Sequence, residues 1–166
     1  MPIETERKYL IAYPDTDALS RMAGARRIVI RQTYLTAQPS VTARVRRAQE
    51  GDEVRWYYTE KRRISSASAY EDEREITPEE ADRLLMRADP ALSPIEKIRW
   101  RVPIGMLAAE IDLYPFWRDR AVMEIELPDE TCEVPEVPFV TVLRDVTDDP
   151  RYKNRALARA IPHDAL

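Results

Sequence analysis

Carboxylates and cations recur in this chain at a spacing of two. Glu4, Glu6 and Lys8 begin the series, followed by Thr42, Arg44 and Arg46, and then by Arg55, Tyr57, Thr59 and Lys61. Lys97, Arg99 and Arg101, the pair Glu110 and Asp112, and the pair Glu124 and Glu126 repeat it farther on. Side chains two apart in a strand share a face. The intervening positions are mostly apolar: Ile3, Thr5, Tyr9 and Ile11; Val41, Ala43 and Val45; Val54, Trp56 and Tyr58; Ile98, Trp100 and Val102; Ala109, Ile111 and Leu113; Met123, Ile125 and Leu127. A solvated outer face accounts for any one such strand. Repetition in nearly every strand favours apolar faces turned outward beneath helices and charged faces lining a shared, hydrated interior.

Such an interior calls for a ligand. Same-face neighbours lie about 7 Å apart, so each carboxylate pair repels by about 2 kcal/mol at an effective dielectric constant near 20. A divalent metal relieves that repulsion. Glu4, Glu6, Asp112, Glu124 and Glu126 offer the oxygen ligands that Mg²⁺ or Mn²⁺ prefers. The clustered lysines and arginines need anions, and guanidinium groups suit bidentate phosphate contacts. A metal-bound chain of phosphates satisfies both sets.

The elements that must carry these residues are mainly strands. Period-two segments bounded by proline and turn residues predict strands near 3–11, 26–36, 41–49, 53–62, 69–76, 95–103, 107–114 and 121–127. The segment Gln49-Glu50-Gly51-Asp52 predicts a hairpin turn. Thr77-Pro78-Glu79-Glu80 carries an N-cap, a first-turn proline and a capping-box glutamate, and so starts a helix. Shorter helices are expected near 15–23 and 150–160. The expected fold class is α+β: a barrel or strongly curved sheet of antiparallel strands with a few packing helices.

Composition narrows the alternatives. The length of 166 residues suits one domain, 1–166, and the charged fraction is high at 34%. No apolar run approaches the roughly 20 residues of a membrane span, and the N-terminus lacks the pattern of a secretory signal. The net charge of −4 argues against a sequence-independent nucleic-acid binder. A single cysteine, Cys132, allows no internal disulfide and agrees with a cytoplasmic location. With His163 the only histidine and only 3 glycines, a histidine triad, a zinc cluster and a glycine-rich phosphate loop are all disfavoured. Trp56, Trp100 and Trp117 are expected to pack the barrel.

The segment Ile3-Glu4-Thr5-Glu6-Arg7-Lys8-Tyr9-Leu10 resembles the amino-terminal Glu-x-Glu-x-Lys signature of the CYTH superfamily, the triphosphate tunnel metalloenzymes. Later segments follow the order of the small bacterial members: Ile30 to Leu35, Ala43-Arg44-Val45-Arg46, Thr59-Glu60-Lys61, Glu73-Arg74-Glu75-Ile76, Glu96-Lys97-Ile98-Arg99, Glu110-Ile111-Asp112, Glu124-Ile125-Glu126 and Asp145 to Asn154. The resemblance implies an eight-stranded antiparallel β-barrel forming a tunnel. It implies Glu4, Glu6 and Glu126 as metal ligands, with Glu73, Glu75, Asp112 and Glu124 as supporting or second-metal candidates. Lys8, Arg44, Arg46, Lys61, Lys97 and Arg99 become phosphate contacts, and Lys8 with Tyr34 the pair associated with activating water, although Tyr34 shares its face with Ile28 and Ile30. The loop Arg62–Ser68 and the segment after Tyr114 lack glycines common in relatives. The expected activity is metal-dependent hydrolysis of tripolyphosphate, with Mg²⁺ or Mn²⁺. Thiamine or nucleoside triphosphates, adenylate cyclase chemistry and non-catalytic polyphosphate binding are the alternatives. The expected partner is a triphosphorylated small molecule, not nucleic acid or membrane, and a homodimer is left open.

Overall fold

In the computed structural model, which describes residues 2–166, the strands are β1 (Ile3–Ala12), β2 (Arg26–Leu35), β3 (Thr42–Glu50), β4 (Glu53–Arg63), β5 (Ser68–Ile76), β6 (Ile95–Ile104), β7 (Leu107–Leu113), β8 (Arg120–Leu127) and β9 (Val142–Asp145). Helices α1 (Thr16–Ser20) and α2 (Pro78–Leu85) lie between strands, and a 3₁₀ turn (Pro150–Tyr152) precedes α3 (Asn154–Leu157). The sheet runs β5-β4-β3-β2-β6-β7-β8-β1, and β1 pairs back onto β5. Every pairing is antiparallel, so eight strands form a closed barrel. All eight expected strands are present, displaced by a residue or two at their ends.

The ninth strand was not anticipated. One edge of β1 pairs with β8 from Thr5 to Ala12, while its other edge is shared. Ile3–Thr5 pair with β5, and Tyr9–Ile11 pair with β9. Between them the edge is sealed by loops: Glu6 donates its amide to the Ala67 carbonyl (2.9 Å), and Lys8 donates its amide to Thr147 Oγ1 (2.9 Å).

Local chemistry explains the turns and caps. Gly51 (φ 59°) and Gly105 (φ 56°) each open a two-residue connection, β3 to β4 and β6 to β7, where a positive φ is required. The glycine-free loop after β4 turns by another route. Ser65 Oγ accepts from the amides of Ala67 and Ser68, and the amides of Ile64 and Ser65 both donate to the Ser68 carbonyl. Thr77 Oγ1 accepts from the Glu80 amide at the start of α2, and Asp15 caps α1. The helix expected over 150–160 is instead interrupted. Lys153 is extended (φ −70°, ψ 140°), which turns the Tyr152 carbonyl toward Lys8 and the Lys153 side chain toward Ser66.

Apolar faces point outward, as the alternation predicts. Outer residues of β1, β6, β7 and β8, including Ile11, Val102, Ile111, Met123 and Ile125, form one core beneath Leu19 of α1 and Val137. Leu35, Ala43, Val45 and Ile76 form a second beneath Ala81 of α2. A third core plugs one end of the barrel: Leu10, Tyr34, Ile95, Tyr114 and Val122 meet Trp117, Tyr152 and Leu157. Trp100 and Trp56 pack on the outer cores and Trp117 on the plug.

Near the plug, the charged lining is neutralised internally. Asp112, fully buried, accepts from Lys97 Nζ (2.7 Å) and from Arg99 Nε (2.7 Å) and NH2 (2.9 Å). Burial alone would raise its pKa, but the two cations prevail and hold it low. Replacing Asp112 with Asn leaves the buried Arg99 guanidinium, and Lys97, whose pKa burial already lowers to about 7, short of their shared anion. The expected loss is about 3–5 kcal/mol of stability, read from urea unfolding midpoints. A loss below about 1 kcal/mol would show that Glu110 and Glu124 suffice to neutralise Arg99.

Candidate active site

The inner faces of the strands enclose a cavity of about 940 Å³. Its wall includes Glu4, Glu6 and Lys8 from β1, Tyr34 from β2, Arg44 and Arg46 from β3, Thr59, Lys61 and Arg63 from β4, and Glu71 and Glu73 from β5. Arg99 of β6, Glu110 of β7 and Glu124 and Glu126 of β8 complete the ring. Strand register explains the convergence: Glu6 lies opposite Glu126, Lys8 opposite Glu124, Tyr34 opposite Arg44, and Arg44 opposite Thr59.

The acidic side of this ring is under electrostatic strain. Burial, and then the neighbouring charge of Glu124, push the Glu6 carboxyl up to about 7. Burial also raises Glu126, with Glu4, Glu110 and Glu6 adding to it. Glu4 is raised by burial and by its contact with Glu71, although Lys61 opposes the shift. Glu124 behaves differently: burial disfavours its charge, but Lys8, Arg99 and Lys97 overcome that cost and hold it well below the usual carboxylate range. Its ion pair with Lys8 is 3.1 Å long.

On the basic side, two guanidinium groups lack counter-ions. Among the described residues no carboxylate lies within 4.0 Å of Arg44 or Arg46, and the buried Arg44 Nε has no hydrogen-bond partner. Arg46 donates from Nε (2.8 Å) and NH2 (2.5 Å) to the neutral amide oxygen of Gln32. Burial, with Arg44 and Arg99 nearby, lowers Arg46 to about 10. Lys61 is engaged, bridging Glu4 (2.8 Å) and Glu71 (3.2 Å). A cavity with unpaired guanidinium groups on one wall and crowded carboxylates on another can take an anion and a cation together.

The sequence-derived candidates do not all meet here. Glu75 is on the inner face but solvent-exposed, pairing with Arg55 at 3.5 Å, and it does not line the cavity. Asp112 and Lys97 are spent on one another beneath the cavity wall. The geometry therefore supports neither a ligand role for Glu75 and Asp112 nor a phosphate contact by Lys97. Tyr34 faces inward despite sharing its face with Ile30, its hydroxyl accepting from Gln32 Nε2 (3.1 Å). Gln32, Glu71 and Arg63 were not anticipated, whereas Lys153, which the sequence allows to reach a tunnel opening, does line the cavity. Gln32 and Glu71 each stand two residues from a chosen position, on the same face, and the spacing rule could have found them.

The acidic group has the chemistry of a divalent-cation site. Glu4, Glu6 and Glu126 supply hard oxygen donors, and their raised pKa values reflect burial first and neighbouring carboxylates second, both of which a bound cation offsets. Among the described residues no three of these carboxylates converge as a preformed metal-binding group; Glu4 leans on Lys61 and Glu124 on Lys8.

Known proteins resemble the chain throughout its length. The CYTH domain model matches residues 2–141. An inorganic triphosphatase of Nitrosomonas europaea is 29% identical over 163 residues, covering 96% of this chain and 99% of that protein. One from Acetivibrio thermocellus is 30% identical over 159 residues, covering 94% and 93%. A crystal structure of an inorganic triphosphatase superposes with a TM-score of 0.57 at 28% identity, covering 98% of each chain. A Pyrococcus horikoshii protein shares the fold at a TM-score of 0.60 and 16% identity, covering 77% of this chain and 80% of that one. A closed antiparallel barrel with an ionised interior and a family match from Pro2 into its last quarter lead to one assignment: the chain belongs to the CYTH domain family.

Proposed function

We propose that the chain is a divalent-metal-dependent inorganic triphosphatase that hydrolyses tripolyphosphate, with residues 1–166 acting as one catalytic domain. The observation that carries this reading is the pair of guanidinium groups, Arg44 and Arg46, facing an acidic cluster without carboxylate partners of their own. The resemblance to two inorganic triphosphatases supports it.

In this reading Glu4, Glu6 and Glu126 hold Mg²⁺ or Mn²⁺, with Glu73 and Glu124 in support. A cation bound there would polarise phosphoryl oxygens and screen the carboxylates from the phosphate chain. Arg44, Arg46, Lys61 and Arg99 bind the chain and offset charge developing on the leaving group. Gln32 aims Arg46 without neutralising it. Lys8 is held in its charged form, because Glu124 and Glu6 outweigh the effect of burial, so it orients the attacking water as a donor while Tyr34 contributes its hydroxyl. Thiamine and nucleoside triphosphates are weaker substrates in this reading. The cytoplasm is the proposed compartment; no helix among the described residues is long and apolar enough to cross a membrane.

Phosphate release should be fastest from tripolyphosphate when it is compared with ATP and thiamine triphosphate, each with Mg²⁺ and with Mn²⁺. Chelation of the metal should abolish release, and Glu126→Gln should lower kcat/KM by at least about 100-fold. Tight tripolyphosphate binding without any turnover would turn the reading into a binding module.

Metal affinity should depend on pH through Glu6. The folded protein holds a proton on this carboxyl up to about pH 7, well above the ordinary carboxylate range, and must release it to bind a cation. Without metal, Glu6 therefore contributes a loss of stability as pH rises from the carboxylate range through 7. Mg²⁺ affinity should increase about tenfold from pH 6 to pH 8, the change in the deprotonated fraction of one such group. Titration calorimetry giving the same affinity at both values would remove Glu6 from the metal site.

A further inference from the structure

Beside the cavity, whose lining also includes Arg151, Lys153 and Pro162, a network converges on one carboxylate close to the chain's end. Asp164 accepts from the Tyr152 hydroxyl (2.7 Å) and from Arg144 NH2 (2.6 Å), and it lies 3.6 Å from Arg120 and 3.8 Å from Arg151. Two residues earlier, the Pro162 carbonyl accepts from Trp117 Nε1 (3.0 Å). The final segment is thereby tied to β8, to β9 and to the 3₁₀ turn. A surface tail held only by ordinary contacts would not need four polar partners at a single side chain.

The partner that matters is Tyr152. This residue is fully buried against Trp117, with the guanidinium groups of Arg144 and Arg151 within 5.5 Å and 5.6 Å of its ring. While its hydroxyl is held by Asp164, its backbone carbonyl accepts from Lys8 Nζ (3.2 Å) inside the barrel. Next along the chain, Lys153 donates to the Ser66 carbonyl (2.9 Å), clamping the same stretch across the seam beside β1. Tyr152 thus connects the network outside the barrel to the ammonium group within it.

We propose that Asp164 is a positioning residue: by fixing Tyr152 it holds the carbonyl that orients the Lys8 ammonium toward the attacking water. The proposal rests on the triphosphatase reading for its kinetic consequence, but not for its structural one. None of the phosphate-holding cations on β3, β4 and β6 contacts Asp164, so its loss is expected to act on the reaction step more than on substrate binding. With the Tyr152 carbonyl displaced, Lys8 keeps only its ion pair with Glu124 (3.1 Å) and swings about it, and a small misplacement of a reacting group costs about one to two orders of magnitude in rate.

The test compares full-length wild type, Asp164→Ala, Asp164→Asn and, as a regional control, Asp119→Ala, which removes a surface partner of Arg120. Two measurements are made: amide exchange of Tyr152, Leu157 and Ala158, and steady-state tripolyphosphate hydrolysis with Mg²⁺. For Asp164→Ala the expected results are at least about tenfold faster exchange at these amides with unchanged exchange in β3 and β6, and a kcat about tenfold lower with KM within about threefold. Asp164→Asn keeps the acceptor for Tyr152 and should recover most of kcat, and it carries the test if the alanine variant does not fold. Asp119→Ala should match wild type. Unchanged exchange in Asp164→Ala, or faster exchange with unaltered kcat, would overturn the proposal. A wild type that releases no phosphate would instead defeat the triphosphatase reading; the positioning claim would then stand or fall on the exchange rates and on whether the Lys8 Nζ resonance shifts in Asp164→Ala.

Discussion

Ionised groups enclosed by a sheet must find partners, because an unpaired buried charge costs several kcal/mol. The barrel meets this constraint in two ways. Near its plugged end Asp112 is matched by Lys97 and Arg99, forming a closed electrostatic unit. Farther along the lining the matching is left incomplete. Among the described residues Arg44 and Arg46 have no carboxylate within 4.0 Å, while Glu4, Glu6 and Glu126 crowd one another. A site for a polyanion and a cation follows from that contrast, and the outward cores supply the stability that such a lining cannot.

Much of this was legible because a strand has a period of two. Alternation at Glu4-Glu6-Lys8 and Glu124-Glu126 marked the inner face, and the outer residues fell into cores under α1 and α2 as their apolar character requires. The hairpin at Gly51 and the cap at Thr77 were readable for equally local reasons.

What escaped the sequence depends on long-range pairing or on polar neutrality. The strand β9 has only four residues, all exposed, and exists because β1 offers it part of an edge. Gln32 carries no charge, so a search for alternating charge passes over it, although it sets the direction of Arg46. Asp112 and Glu110 sit two apart with the same parity, yet one is consumed by a buried ion pair and the other lines the cavity. Spacing specifies a face; depth along the barrel axis comes from the register of all eight strands. The broken helix near Lys153 likewise reflects a demand from Lys8, more than a hundred residues earlier in the sequence, that no local propensity encodes.

The position of β1 also has a consequence for biosynthesis. It precedes the other strands of the barrel in synthesis, yet both strands that flank it in the closed barrel come much later: Thr5 pairs with Ser68 on one side and with Leu127 on the other. The nascent chain can zip β2, β3, β4 and β5 into a meander as each appears, but its earliest segment, bearing Glu4, Glu6 and Lys8, has to wait. Until β8 is released, those three ionised residues remain in water, and the costly step of enclosing them coincides with ring closure, when their cationic and anionic neighbours are already assembled.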